Sequence, residues 1–276
     1  MDEQTLKVWA NYYQQFDADF SREVPGEGYG GWKRAEIEVA PAHTAVVVMH
    51  AWNPFTREEY PGWYRAVEYL PRSKQICQEV FPALLEAVRN SPIRLFHVQS
   101  DGPFLRQYPG YAKTVELAGP EPPAPAGADS DPVLKKLGQF RGEQVFPGKG
   151  NAEDCSRAFK VIDFAPEARP VGDEPVAVTS HQLAALCRHH DVNHLVYAGF
   201  AIDWCLLMSP GGMLDMSRRG IMCSAIRQAT TAVENKRTAR EELCKEIGLW
   251  RVSVAFGFVF DVDDFLGALA TMQKGA

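Results

Sequence analysis

The chain carries six cysteines, at positions 77, 155, 187, 205, 223 and 244, and no two of them form a CxxC pair. Scattered thiols of this kind are usually packed and inert. Cys205 stands apart because of the segment it ends, Leu195-Val-Tyr-Ala-Gly-Phe-Ala-Ile-Asp-Trp-Cys205. An apolar, strand-like run stops at Gly199, a tight turn follows, and a helix starts near Asp203. The thiol then falls in the first helical turn, at the carboxyl edge of a sheet. The free N–H groups and positive dipole end there favour a thiolate. The same N–H groups can meet an oxyanion formed when a carbonyl is attacked. Position alone leaves two readings open, a nucleophile and a packed thiol.

A parallel α/β sheet is what would position such a thiol. Thr44–Met49 is short, β-branched and apolar, which reads as a strand buried on both faces. Residues 72–89 have helical spacing, with a break or restart expected at Pro82. Ile93–Val98 reads as the next strand. Strands are also expected near 175–178, 193–199, 221–226 and 252–260, with helices near 180–190, 203–219, 238–247 and 262–272. Ser180 is the expected cap of its helix. The alternation predicts a three-layer α/β/α, Rossmann-like fold with a six-stranded, mostly parallel sheet and helices on both faces. Ligands in such sheets bind at the carboxyl ends of strands. Residues 1–43, with a helical-looking start, are expected as an N-terminal extension packed on a domain spanning 44–276. A Pro- and Gly-rich insertion covers about 101–152, either a lid or a disordered segment.

The order of motifs resembles the isochorismatase-like cysteine hydrolase superfamily, which includes nicotinamidases, N-carbamoylsarcosine amidases and isochorismatases. The family's nucleophile turn reads roughly G-[VI]-A-T-[DN]-x-C. This chain keeps Gly199, Ala201, Asp203 and Cys205, with Ile202 at the usual Thr. The first-strand motif, roughly A-L-L-V-[IV]-D-x-Q-N-D-F, is similar to Ala45-Val-Val-Val-Met-His-Ala-Trp-Asn-Pro-Phe55, with Asn53 and Phe55 in register.

This resemblance implies a cofactor-free hydrolase acting on a small amide, ester or related C–N substrate through Cys205. It further implies an oxyanion hole from the N–H groups of Ala201 and Cys205 and a cis Phe200–Ala201 peptide. Trp52, Asn53 and Phe55 would line the substrate pocket. Two departures stand out. The family aspartate falls on His50, and the stretch Val176–Leu183 lacks the family lysine. His50 is therefore either a base for Cys205 or a structural residue at a strand end. In the latter case the chain is a catalytically inactive binding or scaffold protein. His181 is a possible second polar group near the pocket. His189, His190 and His194 read as solvated residues at a helix terminus. Asp101 lacks the histidines that would complete the family's metal site, so no metal is expected.

Bulk properties narrow the classes. Of 276 residues, 46% are hydrophobic and 23% charged, an ordinary globular balance. The net charge of −6 and the lack of basic runs argue against nucleic acid. No secretory leader is read at the N-terminus, and the apolar runs are too short to span a bilayer. A cytoplasmic homo-oligomer with a small-molecule substrate is the expectation. A Rossmann-type cofactor protein is disfavoured, because no G-x-G-x-x-G follows the first strand.

Overall fold

The N-terminal residues expected to be helical form strands instead. In β1 (Leu6–Gln14) Leu6, Val8 and Ala10 are buried while Lys7 and Trp9 are exposed. That period of two suits a strand, not a helix. It pairs antiparallel with β2 (Gly31–Val39) from Leu6↔Val39 to Gln14↔Gly31. The computed structural model describes residues 5–53, 55–123 and 126–273.

Along the chain then come β3 (Thr44–Met49), α1 (Pro61–Ala66), α2 (Leu70–Glu79), α3 (Phe81–Arg89) and β4 (Arg94–Val98). Next are α4 (Pro109–Ala118), α5 (Pro132–Gln144), α6 (Ala152–Val161), β5 (Val176–Ala177) and α7 (Ser180–His189). The last part holds β6 (His194–Phe200), α8 (Cys205–Met208), α9 (Met213–Ser217), β7 (Met222–Thr231), α10 (Leu243–Ala255), β8 (Val259–Phe260) and α11 (Val262–Gln273).

One sheet of eight strands results, in the order β2-β1-β8-β7-β6-β3-β4-β5. The six strands from β8 to β5 are mutually parallel, and the hairpin joins their edge antiparallel through β1 and β8. The expected six-stranded parallel sheet is therefore present, and the hairpin extends it to eight. Side chains of β3 alternate between two cores. Val46 and Val48 pack with Phe81, Leu84 and Leu85 of α3 and with Phe265 and Leu269 of α11. Ala45, Val47 and Met49 pack on the other face with α7, α9 and α10, through Leu183, Met213 and Leu249. Helices thus cover both faces.

Pro82 does mark a restart. α2 stops at Glu79, and α3 begins with Pro82 in its first turn, where no N–H is needed. Several boundaries differ from the expectation. The α7 cap is Thr179, whose hydroxyl accepts the Gln182 N–H. α10 starts at Leu243 and runs through Val252 to Ala255, so the expected strand over 252–260 shrinks to two residues. The run Val252-Ser-Val-Ala-Phe256 is as compatible with a buried helix face as with a strand. In the 101–152 insertion, α4 and α5 are ordered helices, while residues 124 and 125 of the Pro-rich run lie outside the described residues.

Candidate active site

The turn after β6 is built around Gly199. Its φ is +122°, and a Cβ there would stand 1.9 Å from the Met49 carbonyl oxygen of the paired strand, so only glycine fits. The Thr230 hydroxyl donates to the Gly199 carbonyl at 2.8 Å, and the Ile202 N–H donates to the Thr231 carbonyl at 2.9 Å. The Phe200–Ala201 peptide bond is cis. The Ala201 carbonyl accepts from both Trp204 and Leu206, at 3.2 and 3.1 Å. Cys205 opens α8 and is partly exposed.

The thiol is not activated at rest. Burial pushes its pKa up, with a further push from Asp203, against the pull of the Ser209 hydroxyl and the Ala201 N–H that face the sulfur. Position at a helix start suggested the opposite. The helix has only four residues, so its dipole is small, and desolvation wins.

His50 sits one residue past β3, on the strand beside β6. Its φ is +50°, and its N–H donates to the Val98 carbonyl at 2.9 Å. The ring is buried and stacked on Trp52, with centroids 4.9 Å apart and 21° between planes. Burial pushes the imidazole down to about 4, so it is neutral at neutral pH. No hydrogen bond joins it to Cys205 or to another described side chain, and its Nδ1 has no partner among the described residues.

The other expected pocket residues divide. The Trp52 indole N–H donates to Gln99 Oε1, which also accepts the Ser100 N–H. Asn53 Oδ1 accepts the Phe55 N–H at 3.2 Å, and both residues line a separate cleft with Glu59, Lys74 and Glu167. A different cavity of about 430 Å³ is lined by Asp203, Leu207, Met208, Cys244, Gly248 and Phe256, without Cys205.

Sequence reasoning missed the group that holds this turn from the α2 side. Tyr69 is buried against Phe200, with ring centroids 6.3 Å apart. Its hydroxyl stays protonated, because burial, together with the charges of Asp203 and Glu68, raises its pKa. Arg72 donates to the Thr231 hydroxyl at 3.0 Å, to Glu68 at 2.8 Å and to the Ala232 carbonyl at 3.2 Å. Glu68 also accepts the Glu234 N–H at 2.8 Å. Asp203 accepts the Val233 N–H at 2.8 Å, and burial pushes its carboxyl up to about 6. Glu234 caps α10 by accepting from Cys244 and Lys245, both at 3.0 Å. The Glu68/Arg72 spacing of four was the one local sign of this group.

The remaining histidines lie elsewhere. His181 bonds the Ala118 carbonyl at 2.9 Å and ties α7 to α4. His194 is buried and bonded to the Ser224 hydroxyl at 2.8 Å, which corrects the expectation of a solvated residue. Among the described residues, no group of three or more His, Cys, Asp or Glu could hold a metal. Among the described residues, no helix is long and apolar enough to cross a membrane.

No family model matches the sequence, and no curated protein matches it. Solved structures do. The chain is similar to a cysteine hydrolase from Pseudomonas syringae pv. phaseolicola, at 12% identity and a TM-score of 0.46, covering 85% of this chain and 95% of that one. It is similar to an isochorismatase-like hydrolase from Alkaliphilus metalliredigens, at 18% identity and a TM-score of 0.47, covering 82% and 97%. A putative isochorismatase from Burkholderia xenovorans LB400 gives 14% identity and a TM-score of 0.48, covering 83% and 88%.

Proposed function

We propose that the chain is a divergent isochorismatase-like cysteine hydrolase that cleaves a small amide, ester or related C–N substrate through a covalent intermediate on Cys205. One observation carries the reading. Cys205 opens a helix directly after a turn whose geometry only Gly199 permits. A carbonyl brought to that sulfur lies beside the backbone N–H groups of the turn and helix start.

The sulfur forms a bond to the carbonyl carbon, and the oxyanion is held by the N–H groups of Ala201 and Cys205. The thiol proton passes to the leaving amine or alcohol as that bond breaks. Water then attacks the thioester, the C–S bond breaks, and the acid leaves as sulfur regains its proton. His50 is the base assigned to these transfers, acting directly or through one water. The six free thiols suit a reducing compartment such as the cytoplasm. The exposed apolar residues Val133, Leu137 and Phe140 of α5 support assembly into a homo-oligomer.

A second reading is a binding protein without turnover. It is favoured by the protonated thiol and by the lack of a bond between His50 and Cys205. Hydrolysis of a panel of small amides and aryl esters separates the two. The hydrolase reading expects turnover that Cys205→Ala abolishes and His50→Asn lowers about a hundredfold. Turnover that survives Cys205→Ala would contradict it.

A further inference from the structure

At the edge of the sheet opposite Cys205, a cavity of about 510 Å³ opens between four segments of the chain. Arg94 begins β4, and β4 and β6 both run parallel to β3, so this is the amino edge. The other walls are one face of α4, the loop before β5 and the last turn of α7. The floor is apolar. Phe96 and Leu186 are buried there, and Pro175 and Leu117 complete it. Leu117 is left 39% exposed over this space.

The rim is cationic. Arg94, Lys113, His189 and His190 line the cavity against one carboxylate, that of Asp173. Lys113 pairs with this carboxylate at 2.6 Å and has donors to spare. Arg94 has no ion pair or side-chain hydrogen bond among the described residues. The rings of His189 and His190 also lack hydrogen-bond partners there, and meet each other edge to face with centroids 4.6 Å apart. Burial, then Arg94 and His189, hold the His190 pKa down, with Asp191 pulling the other way. Positive charge is thus gathered at one concavity of a chain whose net charge is −6. An anion entering the cavity would offset the repulsion among these groups. An inorganic ion would use the rim alone. The apolar floor and a volume typical of small-molecule sites call for an organic body as well.

We propose that this cavity binds a small organic anion, its carboxylate or phosphate head held by Arg94, Lys113 and His190 and its apolar body resting on Phe96 and Leu186. The site lies across the sheet from Cys205 and does not depend on the hydrolase reading. Binding there is measurable without turnover, so the two fail separately.

The test is calorimetric titration of phenylacetate, phenyl phosphate and benzyl alcohol into the full chain. The first two distinguish a carboxylate from a phosphate head, and benzyl alcohol reports the apolar body alone. Saturable binding of at least one anion, at least tenfold tighter than benzyl alcohol, is expected. Arg94 and Lys113 are exposed, so Arg94→Gln and Lys113→Gln should keep the far-ultraviolet circular dichroism of the wild type. Each should weaken the binding about threefold to tenfold, while Cys205→Ala should leave it unchanged. Absence of saturable binding by both anions would overturn the site. Benzyl alcohol binding as tightly, normal binding by Arg94→Gln, or loss of binding in Cys205→Ala would overturn it as well.

Discussion

The imidazole of His50 lies flat on the indole of Trp52, 4.9 Å away, and makes no hydrogen bond to Cys205 at the end of the neighbouring strand. The two residues with the clearest chemical potential are thus placed at adjacent strand ends but are not joined at rest. The proposed hydrolase reading requires that they be linked by a bound substrate, by one water, or by movement of Trp52. His50 also keeps a left-handed backbone, a conformation that asparagine tolerates better than most residues.

That burial makes His50 an acid-sensitive point. Its folded pKa is about 4 against 6.5 when exposed. Between those values the unfolded chain binds the proton and the folded chain does not. Stability from this group is therefore complete above pH 6.5 and falls as pH drops toward 4, by about 3 kcal/mol. His194, also held near 4, adds a loss of the same sign. Urea unfolding of wild type and His50→Asn at pH 7.5 and 4.5 should show the variant losing about 2.5 kcal/mol less. An equal loss in both proteins would mean that His50 is not buried as a neutral ring.

Cys205 should alkylate before the fully buried Cys77, Cys155, Cys187 and Cys223. Its thiol is raised above the usual value, so the rate with iodoacetamide should climb with pH and show no plateau below about pH 9. A plateau near pH 7 would reveal a thiolate stabilised in a way the turn geometry does not provide.

Arg72 fastens the start of α2 to the end of β7 by bonds to Thr231 and Ala232. Arg72→Met should lower stability by about 1–3 kcal/mol and leave Glu68 without its cation. Because Thr231 also holds Ile202 of the turn that leads to Cys205, alkylation of Cys205 should become a few-fold faster. Unchanged alkylation would show that the turn is rigid without this tie.

Gly199→Ala should be the most damaging single change at the site. The new methyl would meet the Met49 carbonyl oxygen at 1.9 Å, in backbone that cannot retreat without breaking the β3–β6 pairing. A loss above about 4 kcal/mol, or no folded protein, is expected by thermal unfolding.

The parallel sheet was legible because β3 and β6 are apolar throughout, a pattern that sheets covered on both faces demand. The turn at Gly199–Cys205 was legible for a local reason, a strand ending on glycine just before a helix. The hairpin was not. Its β1 strand alternates cleanly over only five residues before Tyr12 and Tyr13 blur the pattern. Tyr69, Arg72, Glu68 and Glu234 escaped notice because they lie far apart in sequence and meet only through the crossing of α2 over the end of β7. Gln99 escaped for the same reason, since its partner Trp52 was noticed by type and its neighbours were not.

Acid quenching of the full chain during hydrolysis of a small aryl ester, followed by mass spectrometry of the intact protein and its peptides, tests the role of Cys205 most directly. A mass gain equal to the acyl group should appear on the peptide containing Cys205, decay as substrate runs out, and be missing in Cys205→Ala. An adduct on another residue, or hydrolysis at the wild-type rate by Cys205→Ala, would contradict a covalent intermediate on this sulfur.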